Sequence, residues 1–130
     1  MDALREQVLL QEDILGFLGD PKTYGGSRVI RYDTHAAAVF LAGDRALKIK
    51  RAVRFPFLDY STPEKRKIAC STEIDVNRRF APQLYRGIVA ITRERDGHFA
   101  IGGEGSPVEW AVDMARFDES QTLDHIADRG

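Results

Sequence analysis

Apolar and polar positions along this chain predict strands through its middle, flanked and interrupted by helices. Two short apolar runs, residues 39–41 and 46–49, are separated by the turn-forming pair Gly43-Asp44 and predict a β-hairpin. In the second run Ala46, Lys48 and Lys50 fall on one face, because side chains alternate along a strand. Residues 27–33 alternate Val29 and Arg31 with Ile30 and Tyr32 and predict a strand before the hairpin. Residues 84–93 and 98–101 predict two strands joined across Asp96-Gly97, and residues 108–117 a final strand. The loop of residues 102–107 is expected to be a plain connection.

Helical spacing takes over on either side. Residues 3–18 place Leu4, Val8, Leu15 and Leu18 near one face, and Gly19-Asp20-Pro21 stops the period. Residues 63–80 form a second predicted helix, carrying Ile68, Ala69, Ile74, Val76 and Phe80 at partly helical spacing. Ser61, with Glu64 three residues later, has capping-box spacing, and Glu73 lies near mid-helix. The linker between the hairpin and this helix brackets Pro56 with Phe55, Phe57 and Leu58, so part of it is expected to be buried. Residues 118–129 read as a polar helix anchored by Leu123 and Ile126. The order is helix, three strands, helix, two strands, helix. It predicts an α+β fold with an antiparallel sheet of about five strands, the 63–80 helix packed on it and the N-terminal helix outside.

Composition narrows the function classes. With 130 residues the chain is expected to form one domain, and 43% hydrophobic with 30% charged residues is ordinary for a globular protein. A formal net charge of −1 gives no global field toward nucleic acid or an anionic membrane, so neither is an expected partner. Cys70 is the only cysteine and reads as a core thiol. No apolar run nears the ~20 residues of a membrane span, and the expected location is cytoplasmic. The three histidines are dispersed, which argues against a zinc site.

The chemistry resides in Lys48 and Glu73. A lysine on a strand followed by a helix bearing a mid-helix glutamate is the arrangement that positions ATP phosphates in protein-kinase-like folds. Ala46-Leu47-Lys48 looks like the A-x-K ending of the kinase V-A-I-K motif. The longer run from THAAAVFLAGDRALKIK through RFPFLDYST to NRRFAP resembles a bacterial family related to aminoglycoside phosphotransferases, some members of which are fused to a P-loop ATPase domain. The resemblance extends from about Val29 to the C-terminus, and its most specific parts are RFPFLDYST and NRRFAP.

That resemblance implies a kinase-like N-terminal lobe over residues 27–117, preceded by a helix and connection at 1–26. Residues 118–130 would begin the segment after the hinge. Lys48 and Glu73 would be the phosphate-positioning pair, with Lys50 inheriting the role if the register differs. Thr34, His35, Ala36 and Ala37 would lie in the loop covering the phosphates, although no G-x-G-x-x-G is present. Ala46 would roof the adenine and Met114 would back its pocket. Ala115, Arg116 and Phe117 would form the hinge. The implied cofactors are ATP and Mg2+ in a full-length parent, whose catalytic aspartate and metal ligands would lie in a C-terminal lobe beyond residue 130. Alone, this chain is expected to bind ATP weakly, to be inactive in phosphoryl transfer and to self-associate through its exposed lobe face. A non-enzymatic interaction or regulatory domain of the same fold is the alternative.

Overall fold

The structure, a computed structural model, describes residues 3–116. Phe117 and the helix expected over residues 118–129 lie outside the described residues. Helix α1 (Ala3–Leu18) buries Gln11, Ile14, Leu15 and Leu18, a stripe at helical spacing. Val8 is 38% exposed, so the buried face is rotated from the one expected through Leu4 and Val8 and contains a glutamine. Asp20 then caps a single 3-10 turn, Pro21–Tyr24, by accepting from the Lys22 N–H at 3.0 Å.

Strands β1 (Val29–Asp33), β2 (Ala37–Ala42) and β3 (Arg45–Lys50) form an antiparallel meander whose second turn contains Gly43 at φ 58°. A separate small hairpin, β4 (Arg54–Phe55) with β5 (Leu58–Asp59), occupies the linker. The linker is buried in part, as expected, at Ala52 and partly at Leu58, but not at its aromatic residues. Phe57 at the hairpin tip is 83% exposed and stacks on Phe55, with ring centroids 6.1 Å apart.

Helix α2 (Pro63–Asn77) is capped by Thr62 rather than Ser61. The Thr62 hydroxyl accepts from the Lys65 N–H at 3.2 Å. Proline at the first helical position fits a fixed φ where no N–H partner is needed. The helix ends three residues short of Phe80, because the Asn77 carbonyl accepts from the N–H groups of both Phe80 and Ala81. Phe80 is therefore 78% exposed and is not the core anchor its spacing suggested.

Strands β6 (Tyr85–Arg93), β7 (Phe99–Ile101) and β8 (Ser106–Ala115) complete the sheet, in the order β1-β2-β3-β8-β6-β7, all neighbours antiparallel. The fold is α+β as expected. The sheet has six strands, not five, because both arms of the Asp96-Gly97 hairpin join it together with the final strand.

Alternation along the central strands divides the core in two. Val39, Leu41, Ala46, Val112 and Met114 face Cys70 and Ile74 of α2. Ala38, Phe40, Leu47, Ile49 and Ala111 face Ile14, Leu15 and Leu18 of α1. The sheet is covered on both faces, which is why all six positions of β2 are buried and read as a continuous apolar run.

Candidate functional site: a buried pair of lysines on one glutamate

On the α2 side of β3, Lys48 follows Ala46 and Lys50 follows Lys48, each with its side chain on the same face. Glu73, on the buried side of α2, lies between them. Its Oε1 is 3.2 Å from Lys48 Nζ and 2.5 Å from Lys50 Nζ, and its Oε2 is 3.4 Å from Lys48 Nζ. The expectation that Lys48 rather than Lys50 faces Glu73 is corrected, since both do. Two strand positions are separated by about 6.7 Å, so a carboxylate above the gap between them reaches either ammonium.

Lys48 is fully buried, Lys50 is 2% exposed and Glu73 8% exposed. Lys48 and Lys50 both face the Glu73 carboxylate where water is largely excluded, and isolated charge is costly there. Burial pushes the Lys48 ammonium down to about 8; Glu73 opposes this and the Lys50 charge reinforces it. Lys50 also lies over the Tyr60 ring, 5.8 Å from its centroid. A pocket of about 380 Å3 opens beside it, lined by Lys50, Tyr60, Ala69, Thr72, Glu73, Val76 and Asn77. The arrangement suits an anionic group brought against Lys50.

The other residues expected of a nucleotide site lie around this cluster. Ala37 is the sheet partner of Lys50, so the turn at residues 34–36 stands at the same end of β3. The Thr34 hydroxyl accepts from the N–H groups of Ala36 and Ala37, at 3.3 and 3.0 Å. A phosphate reaching for those donors must compete with it. His35 is exposed and packs on Phe55, with ring centroids 6.0 Å apart. Ala46 and Met114 are partners across β3 and β8 and both are fully buried in the α2-side core. Met114 is thus not part of an exposed face. At the strand end the Ala115 N–H donates to the Leu84 carbonyl and the Arg116 N–H to the Asp44 carbonyl, so both are engaged. Phe117 lies outside the described residues. The residues present suit a phosphate group better than an adenine edge. Among the described residues no group of three or more His, Cys, Asp or Glu is placed to hold a metal ion.

Cys70 is buried next to the cluster and its thiol is pushed up to about 12 by desolvation, consistent with a core thiol. The Arg78 guanidinium donates to the Tyr85 and Arg86 carbonyls at 3.4 and 2.8 Å, covering the start of β6. A larger surface pocket, about 620 Å3, lies at the β6–β7 and β7–β8 loops. The Glu94 carboxylate in it already accepts from the N–H groups of Glu104 and Gly105.

Sequence reasoning missed Arg66, Glu109 and Gln11, three buried polar residues next to the lysine cluster. A signal existed for two of them. Gln11 interrupts an otherwise apolar helical stripe, and Glu109 sits between Val108 and Trp110 in a strand pattern.

No protein-family model matches the chain, and no solved structure matches it. It is similar to an uncharacterized protein of Mycobacterium tuberculosis and to one of Mycobacterium bovis, 38% identical in each case over 98 residues, or 75% of this chain. Those residues are 18% of either relative, so the chain spans less than a fifth of the length of the proteins it matches. No helix among the described residues is long and apolar enough to cross a membrane.

Proposed function

We propose that this chain is the phosphate-binding lobe of a kinase-like small-molecule phosphotransferase, of the type related to aminoglycoside phosphotransferases. The observation that carries the reading is the sharing of one buried carboxylate by two buried lysines beside an open pocket. A phosphate anion at Lys50 supplies that ammonium with its own counter-charge and leaves Glu73 to Lys48. Strand lysine, helix glutamate and the antiparallel sheet agree with the kinase-like arrangement the sequence suggested. The acceptor-activating aspartate and the magnesium ligands would come from other parts of a longer protein, for which the length of the relatives leaves room.

A second reading is a non-enzymatic interaction module of the same fold. The backbone donors of Ala36, Ala37, Ala115 and Arg116 are all engaged within the lobe, and this favours it. Calorimetric titration with magnesium-ATP, run beside a phosphoryl-transfer assay, separates the two. The phosphate-binding reading expects weak saturable binding, lost in Lys48→Ala and Lys50→Ala, without turnover by the chain alone. Absence of binding, or binding indifferent to both substitutions, favours the module. Turnover above background would overturn the assignment of catalysis to other parts of the protein.

A further inference from the structure

Arg66 and Glu109 form an ion pair with almost no exposure, 1% and 0%, at the point where β3 leaves the sheet. Glu109 lies two residues from Ala111, the last β8 residue paired with β3. The Glu109 Oε1 accepts from Arg66 Nε at 3.0 Å and from the Trp110 N–H, and its Oε2 accepts from Gln11 Nε2 at 2.8 Å. Arg66 also donates to the Tyr60 carbonyl and to Gln7 Oε1, each at 2.8 Å. Gln11 donates to the Lys50 carbonyl at 2.9 Å and accepts from the Ala52 N–H at 2.8 Å. The network joins both helices, β8 and the end of β3.

Its position relative to Glu73 gives it meaning. Arg66 and Glu73 are seven residues apart on α2, two turns and about 10.5 Å, and so share a face. The helix is held to the sheet by ionic contacts at both points. Lys50 is gripped twice, at its carbonyl by Gln11 and at its ammonium by Glu73. Between the two contacts only Cys70 contributes buried apolar packing, while Ile68 and Val76 on the outer side are exposed.

We propose that α1, through Gln11, and α2, through Arg66, form a brace that fixes Glu73 against Lys48 and Lys50. Arg66 and Gln11 are then positioning residues of the anion site, and the N-terminal helix belongs to that site. The inference rests on the phosphate-binding reading only for its ligand; the placement of Glu73 is a property of the free protein. Removing both charges together avoids leaving one buried and unpaired.

The test uses chain labelled with 15N at its lysine side chains, as wild type, Arg66→Lys, Gln11→Met and the double variant Arg66→Met/Glu109→Met. The first readout is the ammonium signals of Lys48 and Lys50 at mildly acidic pH, sharp when the groups are buried against Glu73. The second is affinity for pyrophosphate. The brace predicts that the folded double variant loses both signals and binds pyrophosphate at least roughly fivefold more weakly. Arg66→Lys, which keeps a cation on Glu109, should retain the signals. A folded double variant with unchanged signals and affinity would show the network to be merely structural and would overturn the proposal. Should the double variant fail to fold, Gln11→Met decides by the same readouts, because it removes the α1 link and leaves the ion pair. A wild type that ignores pyrophosphate ends the phosphate-binding reading, while the ammonium signals still decide the brace.

Discussion

Lys48 is a charged residue in a place that favours the neutral form. Its ammonium is pushed down to about 8, chiefly by burial, and returns to the usual value near 10.5 on unfolding. Between those values the unfolded chain holds a proton the folded chain has released, so stability rises with pH. Cys70 acts in the opposite direction. Its thiol moves from 9 to about 12 on folding, and its contribution is lost as pH rises above 9. The window from pH 8 to 9 therefore belongs to Lys48. Urea unfolding should show a gain of roughly 1 kcal/mol across it. In Lys48→Met the gain should vanish.

A second residue-scale consequence concerns a loop. The Glu94 carboxylate draws in the N–H of Gly105 so closely that a Cβ there would lie 2.1 Å from the Arg93 carbonyl oxygen. Gly105→Ala should cost about 1–3 kcal/mol, read as a lowered urea midpoint, because the obstruction is backbone and cannot swing aside.

At the scale of elements, Glu73 of α2 ties that helix to Lys48 and Lys50 of β3. Glu73→Gln removes the carboxylate that two buried ammonium groups face and should cost about 3–5 kcal/mol in equilibrium unfolding. A loss below about 1 kcal/mol would mean that the cluster is hydrated in solution. Most of these elements were legible in the sequence. The α1 span, the Gly43-Asp44 hairpin and the strand after Asp96-Gly97 follow from local periodicity and turn chemistry, which act over a few residues. The end of α2 was less legible. Whether Phe80 continues the helix depends on the Asn77 carbonyl closing the chain there, and nothing in the spacing of apolar residues encodes that. The site was legible as a lysine and a glutamate. That Lys50 joins Lys48, and that Arg66 meets Glu109 across 43 positions, depends on how strands and helices stack, a long-range fact.

At the scale of the whole molecule, some large apolar side chains stay at the surface. The sheet is covered by α1 on one face and α2 on the other, yet Phe57, Ile68 and Phe80 remain 83%, 66% and 78% exposed. Large apolar side chains left in water favour association. Sedimentation velocity should show concentration-dependent self-association, reduced in Phe57→Ser/Phe80→Ser. A monomer across the accessible concentration range would contradict this.

The most direct test of the central claim, that two lysines on one glutamate form a phosphate site, is a titration of the free chain followed at the lysine ammonium groups. With 15N-labelled lysine side chains, magnesium-ATP and pyrophosphate should both move the Lys48 and Lys50 signals saturably, and Lys50→Met should abolish the response at Lys48. Signals of these two residues that stay fixed while exposed lysines such as Lys22 respond would contradict the account.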